Sequence, residues 1–372
     1  MKEQLRLRFF AHSWISDWNH GNAHFLRGLA SELVRLGQDV RCYEEMGSWS
    51  ASNLLSEENE RGPDAVQQFR NKFNDLDVRF YRNDFTFPSF AEGELRGSDV
   101  VVVHEWNHPQ VVNTILDLKQ KLGFRVLLHD THHRAYSNPQ ELARFDLPHL
   151  DGVLAFGEAI HRIYTDGFGV PRAWTFHEAA DTRNFQPVDV EKNTALVWIG
   201  NWGDEERTRE LEEFLIRPAS TLRPRKVVVH GVRYPDHARE QLRSAGIEFR
   251  GYLPNLSAPE VYSQSLITLH VPRRQYANGL SGIPTIRVFE TMACGIPLLC
   301  SPWTDIEGLF RPGEDYLCVP DGRAMEAELK HLLSDGRARA QLASNALQTI
   351  RSRHTCAHRA QQLLDICEEL GR

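Results

Sequence analysis

At 372 residues the chain is too long for one average domain, so two are expected. Apolar residues make up 41% and charged residues 25%, the composition of an ordinary globular protein. A net charge of −7 disfavours a protein that coats nucleic acid or lies on an anionic membrane, leaving room only for a local basic patch. Cys42, Cys294, Cys300, Cys318, Cys356 and Cys367 are scattered without paired metal spacing, which fits reduced thiols in a cytoplasmic protein. The start, Met1-Lys2-Glu3-Gln4-Leu5-Arg6, passes straight into a strand with no signal-peptide core. No run of about 18 apolar residues is present, so no membrane span is expected.

In chain order, Leu5 to His12 reads as a strand, followed by a polar and aromatic loop holding Trp14, Asp17, Trp18, His20 and Gly21. A helix follows with Phe25, Leu26, Leu29, Leu33, Val34 and Leu36 on its apolar face and Gly37 as its stop. Asp39 to Tyr43 is the next strand. Residues 45–98 are less legible, with a polar helix near Asp64–Phe73 and a strand near Val78–Tyr81. The alternation then resumes. Asp99 to Trp106 is a strand, Pro109 to Leu122 a helix, and Arg125 to His129 a strand running into Asp130-Thr131-His132-His133-Arg134. Gly152 to Phe156, a helix from Glu158, and Arg172 to Phe176 complete this half.

Residues 181–193 are polar, contain Pro187, and read as an interdomain linker. A second α/β unit begins with the strand Ala195 to Gly200. Its loop Gly200-Asn201-Trp202-Gly203-Asp204 leads to a helix from Glu205. Strands follow at Lys226–His230, Ile247–Arg250, Ile267–Val271, Pro297–Cys300 and Tyr316–Val319, and helices at Asp321–Ser334, Ala338–Arg351 and Ala357–Leu370. The organisation expected is an N-terminal Rossmann-like domain over 1–180, a linker over 181–193, a C-terminal Rossmann-like domain over 194–352, and a helix over 353–372 returning to the first domain. Ligands of such α/β units sit at the carboxyl ends of strands, and a cleft between the units is the expected ligand site.

The stretch Ile283 to Pro297 carries the most chemistry. Pro284 suits a first helical turn and Gly295 the left-handed position past the end. Ile286, Phe289, Met292 and Ala293 form an apolar stripe, while Arg287, Glu290 and Thr291 share the other face. A cation and a carboxylate at a helix start suit a ligand with phosphate and diol groups. An ordinary amphipathic helix with an intrahelical ion pair remains the alternative.

The segment TIRVFETMACGIPLLCS resembles the donor-binding helix of family-4-type (group 1) glycosyltransferases of the GT-B fold. Its Arg-Val-Phe-Glu run is closest to the subgroup akin to spore-maturation glycosyltransferases. HGNAHFLRGLASELVRLGQDV, SDVVVVHEW, RVLLHD and GYLPNLSAPEVYSQS resemble further segments of that family. The resemblance implies two tandem Rossmann-like parallel-sheet domains facing a central cleft, with a C-terminal helix crossing back. It implies transfer of a sugar from a nucleotide diphosphate sugar, serving as co-substrate with no cofactor or metal. One departure stands out. Retaining members often carry a second glutamate eight residues before the Glu290 position, near the donor sugar, and this chain has Gly282 there.

On this resemblance Glu290 binds the donor ribose, two acceptor oxygens matching a cis-diol. Arg287, or Arg273 and Arg274, serve the pyrophosphate through guanidinium forks, with a solvated pair as the alternative for the latter two. Backbone amides at Gly282, Thr285 and Ile286 favour anions at the helix start. Gly200 and Asn201 face phosphate or sugar, or form a plain turn. Gly251 and Tyr252 lie beside the base, or Tyr252 packs in the core. His129 and Asp130 fall near the donor sugar, with His20 and Asp17 as alternative bases. Trp14 and Trp18 are an acceptor platform or core. His129, His132 and His133 have metal-like spacing, but they read as loop and no metal is expected. Retention of configuration is slightly favoured over inversion, the leaving phosphate taking the acceptor proton. The acceptor stays open among glycan, protein and small metabolite, with nucleic acid disfavoured. The alternatives to a transferase are a nucleotide-sugar epimerase, a phosphorylase, and a non-catalytic nucleotide-sugar binder.

Overall fold

Among the described residues thirteen short strands all pair in parallel, and parallel sheets need covering helices on both faces. The structure is a computed structural model that describes residues 4–57, 61–203 and 205–371. Met1 to Glu3 and the loop residue Asp204 therefore lie outside the described residues.

The chain divides into two units, the first comprising Met1–Glu178 and Cys356–Arg372, the second Ala179–Thr355. In the first unit the strands are β1 (Arg6–Phe10), β2 (Asp39–Glu45), β3 (Asp77–Tyr81), β4 (Val100–His104), β5 (Arg125–Asp130), β6 (Gly152–Ala155) and β7 (Ala173–Thr175). They form one parallel sheet in the order β3-β2-β1-β4-β5-β6-β7. Strand order reverses between β1 and β4, so the loops after Phe10 and His104 open the crevice where such sheets hold ligands. Val101, Val103, Val126, Leu127, Leu128 and Val153 are fully buried in this sheet. Each fully buried aliphatic side chain contributes about 1.5–3 kcal/mol.

The second unit repeats the plan with β8 (Thr194–Ile199), β9 (Val227–His230), β10 (Glu248–Phe249), β11 (Ser265–His270), β12 (Leu298–Cys300) and β13 (Leu317–Cys318). Their order is β10-β9-β8-β11-β12-β13, all parallel, with the reversal between β8 and β11. Leu196, Trp198, Leu215, Val229, Leu242, Ile267 and Leu329 pack one core over this sheet. The last helix, Cys356–Gly371, belongs to the first unit. It packs on the Ala23–Arg35 helix, its Arg359 donates to the His177 carbonyl at 2.8 Å, and its Gln362 to the Thr175 carbonyl at 3.0 Å. Ala179 and Ala180 fall with the second unit because Ala180 bridges to Thr355 and donates to the His354 carbonyl. The polar stretch 181–193 also falls in that unit.

Local structure departs from the sequence reading in three places. The region after β2 holds helices at Trp49–Leu55 and Phe87–Leu95 that the pattern does not reveal. The first is short and depends on the Ser48 hydroxyl accepting from Ala51 N, and the second contains Pro88 and Gly93. The helix expected from Glu205 begins at Thr208, since Glu205 sits at φ +67 and its carboxylate accepts from the Thr208 hydroxyl at 2.7 Å. Pro284 precedes the helix Ile286–Ala293 instead of entering its first turn, because Thr285 is extended at φ −73, ψ 161 and acts as the cap. Gly295, at φ +64, does close that helix.

Two glycines test the packing in opposite directions. A Cβ at Gly231 would lie 2.1 Å from the Gly200 carbonyl oxygen, whereas one at Gly336 would meet only the Arg339 guanidinium at 3.5 Å. Gly231→Ala is therefore expected to cost about 1–3 kcal/mol. Gly336→Ala, inside a helix, should stabilise by up to about 1 kcal/mol. Denaturation midpoints check this; a Gly231→Ala midpoint at or above that of Gly336→Ala would contradict the packing.

Candidate functional site

In the second unit the Ile286–Ala293 helix leads from the loop after β11 into β12. The Glu290 side chain is fully buried and Arg287 is 27% exposed. Arg287 donates to Glu290 Oε2, and Asn255 Nδ2 donates to Oε1 at 3.2 Å. The buried Tyr262 hydroxyl adds to the electrostatic environment of Arg287. Burial opposes the Arg287 charge, but Glu290 and Tyr262 outweigh it and hold the guanidinium above its ordinary pKa. Of the polar face read from the sequence, Glu290 and Thr291 pack inside and only Arg287 reaches the surface.

Arg207 stands at the β8/β11 reversal. It is buried, lies 5.3 Å over the Trp198 ring, and donates to the carbonyls of Val271 at 2.8 Å, Trp202 at 3.4 Å and Asn201. Burial, and then the charge of Arg273, pull its pKa down to about 10, which leaves it cationic near neutrality. Arg287 adds to the same positive field. Arg273 pairs with Glu206 at 3.9 Å, and burial raises the Glu206 carboxyl against the pull of Arg273 and Arg207. The second unit therefore concentrates three guanidinium groups beside the start of one helix. The Thr285 hydroxyl makes no cap bond there; it pairs with His270 Nε2 at 3.1 Å, which leaves the first-turn amides to the helix mouth.

The glycines at this edge let backbones approach. A Cβ on Gly200 would strike the Trp198 ring at 2.6 Å, and Gly231 N donates to the Gly251 carbonyl at 2.9 Å. The Asn201 side chain accepts from Val232 N at 2.9 Å, so it ties the β8 and β9 loops together. Tyr252 is buried. Arg274, expected at phosphate, instead holds Glu210 in a two-point surface pair at 2.8 and 3.2 Å. Gly282, where a retaining relative would carry a glutamate, sits at φ +92, and a Cβ there would lie 2.4 Å from Ile306 Cγ1 and 3.3 Å from Glu307 Cγ.

In the first unit, histidines gather at the ends of β1, β4 and β5. His20 Nδ1 lies 2.5 Å from His12 Nε2, and His104 stacks edge-on to His129 at 5.6 Å. His104 Nε2 and Asn22 Nδ2 share the Thr131 hydroxyl at 3.0 and 2.5 Å. His129 is wedged between Phe25 and Phe176. Its Nε2 has no hydrogen-bond partner among the described residues. Burial pulls His12 and His129 down to about 3 and holds His20 and His104 well below the ordinary value. These rings are neutral. No group of His, Cys, Asp and Glu among the described residues is arranged to hold a metal ion.

The two carboxylates offered as bases are engaged elsewhere. Asp17 pairs with buried Arg27 at 3.3 Å. Asp130 accepts from Tyr164 at 2.8 Å and from His132 N at 2.9 Å, and burial pushes it up to about 6. Trp14 is core, its indole donating to the Tyr43 carbonyl at 3.1 Å, and Trp18 donates to Glu57. Arg207, Asn255, Tyr262, Trp106 and Arg134 are the residues that sequence reasoning missed. Asn255 and Tyr262 lie in the quoted GYLPNLSAPEVYSQS segment, which was a usable signal. Arg207 follows Glu205-Glu206 and reads as one charge in a solvated run.

No curated protein matches the chain. Residues 207–365 match the family described as Glycosyl transferase-like. Among solved structures, the chain is similar to HepE of Anabaena in complex with UDP and glucose, at 12% identity and a TM-score of 0.70, covering 98% of this chain and 100% of that one. It is similar to sucrose-phosphate synthase from Thermosynechococcus elongatus, at 15% identity and a TM-score of 0.68, with 99% of each chain covered. A glycosyltransferase from Rickettsia africae gives 10% identity and a TM-score of 0.68, covering 100% of this chain and 99% of that one. At these identities the likeness is one of fold, and the fold is the GT-B type expected from the sequence: two α/β domains, each built on a parallel sheet.

Proposed function

We propose that the protein is a glycosyltransferase that moves a sugar from a nucleotide diphosphate sugar to an acceptor hydroxyl, its Arg-Val-Phe-Glu run marking kinship with the spore-maturation-like subgroup. The observation that carries this reading is the buried Glu290 in the middle of the Ile286–Ala293 helix, held by Asn255 and by Arg287, which shares a positive field with Arg207 and Arg273. On this reading the two hydroxyls of the ribose diol replace Asn255 and Arg287 on the Glu290 oxygens. Arg207, Arg273 and Arg287, with the amides after Thr285, neutralise the pyrophosphate. Gly200, Asn201, Gly251 and Tyr252 line the approach of nucleotide and phosphate. The fold shared with HepE, a structure with UDP and glucose bound, supports a nucleoside diphosphate donor.

Transfer breaks the bond from the sugar C1 to the diphosphate oxygen and forms a bond from C1 to the acceptor oxygen. The acceptor proton needs a receiver. His20 and His129 are too weakly basic, Asp17 is paired with Arg27, and Asp130 is locked by Tyr164. A phosphate oxygen of the leaving diphosphate is the receiver that remains, which favours retention of configuration. His129 and its neighbours act as uncharged hydrogen-bonding groups for sugar hydroxyls.

UDP should raise the thermal midpoint of the protein by ligand linkage. Glu290→Gln should weaken UDP binding on the order of tenfold or more, the scale of a lost charge-assisted hydrogen bond. Unchanged affinity in a folded Glu290→Gln protein would remove Glu290 from the donor site. Turnover should survive EDTA; activity lost to EDTA and restored by a divalent cation would overturn the metal-free reading.

The neutral histidines make a separate prediction. Against the ordinary value of 6.5, His12 and His129 bind protons in the folded state only near pH 3. The unfolded chain protonates them below about 6.5. Their contribution to stability is therefore complete above that pH and declines steadily as pH falls towards 3. Imidazole proton NMR should show neither ring titrating between pH 8 and 5, while the thermal midpoint drops over the acid half of that range. A folded-state midpoint near 6.5 for either ring contradicts the argument.

A further inference from the structure

Trp106 is an indole that packing does not explain. It follows β4 at the carboxyl edge of the first sheet, next to the reversal of strand order. It is 43% exposed, while Trp14, Trp18, Trp198, Trp202 and Trp303 are all buried. Exposure alone does not set it apart, since Trp49 is exposed as well; what distinguishes Trp106 is that charged and polar side chains hold its ring at the carboxyl end of a strand. The ring is also held in place. Arg134 lies 4.4 Å over one face, within range of a cation–π contact. Arg134 is itself fixed by the buried Glu105, through the carboxylate at 3.0 Å and the carbonyl at 2.9 Å. His132 meets the indole edge-on at 5.0 Å. The backbone N of Trp106 donates to His104 Nδ1 at 3.3 Å.

We propose that Trp106, with Arg134 over one face and His132 at its edge, offers its other face as a stacking platform for a pyranose ring, so that the acceptor is a carbohydrate. A pyranose has an apolar C–H face and a hydroxyl rim. The indole matches the first, and the guanidinium and imidazole match the second. A nucleic-acid base would also stack on an indole, but it would bring phosphates, and the net charge of −7 opposes them. The inference rests on the glycosyltransferase reading for the word acceptor; the platform itself rests on the geometry.

The test is saturation-transfer NMR on the full chain with maltose, cellobiose and lactose, with and without UDP, and with a single-stranded oligonucleotide as competitor. At least one disaccharide should bind with its ring C–H protons saturated. Trp106→Ala should weaken that binding on the order of tenfold, the scale of one aromatic stacking contact, and Trp106→Phe should keep most of it. UDP affinity should be the same in all three proteins, and Trp49→Ala, at an exposed tryptophan elsewhere, should change nothing. Absence of disaccharide binding to the native chain overturns the platform. So does equal binding by a folded Trp106→Ala protein, or displacement of the sugar by the oligonucleotide. Loss of UDP binding with Trp106-dependent sugar binding intact would instead refute the transferase reading and leave the platform standing.

Discussion

A carboxylate taken out of water costs several kcal/mol unless its oxygens are met by donors and its charge by a cation. Glu290 is fully buried, and the second unit is arranged around that requirement. Asn255 comes from the turn after β10, Tyr262 from the next helix, and Arg287 from one turn earlier on the same helix. Removing any one of them would leave a charge short of partners in the interior. A pair of this kind is weak evidence for stability, since well-packed apolar residues would serve the fold as well or better. Its retention in a core otherwise built from Ile286, Val288, Phe289 and Met292 is better explained by what the carboxylate and the guanidinium do for a ligand.

The same reasoning separates the two α/β units. Both reverse strand order after their first strand, so both open a crevice at the same topological point. At the second unit's reversal stand Arg207 and Arg273, with Arg287 adding to the field. At the first unit's reversal stand His12, His20 and His104, whose rings burial keeps neutral. On the proposed function, the second unit's crevice takes the anionic donor, and the first unit's a ligand that offers hydroxyls and apolar faces.

The strands were legible because a parallel sheet covered on both faces leaves long valine- and leucine-rich runs such as Val100 to Val103 and Arg125 to Leu128. The Ile286–Ala293 helix was legible from its apolar stripe and the closing Gly295. What the pattern could not supply was the environment of each polar residue. Glu290 and Arg274 both read as charged residues on helix or loop surfaces, yet one is interior and the other forms a surface pair with Glu210. The difference lies in which distant elements pack over them, Asn255 and Tyr262 in one case and nothing comparable in the other. Asp17 and His20 share a loop, and only the fold reveals that one is committed to Arg27 and the other to His12. Burial is a tertiary property, and the identity of a base depends on it more than on spacing.

Gly282 shows how far that dependence reaches. Read as a missing carboxylate, it suggests an open side to the donor site. Its backbone lies in the left-handed region at φ +92, and the direction a side chain would take is filled by Ile306 and Glu307 from the loop after β12. A glutamate there would have to strain the backbone and displace that loop, so the glycine and the loop are one arrangement. Any carboxylate that meets the sugar on this side must then arrive from another segment of the second unit. Glu307 packs against Gly282, and Glu206 pairs with Arg273. A recognition element that a helix-start position cannot carry has therefore to be sought on loops, where the sequence signature for the family carries no information.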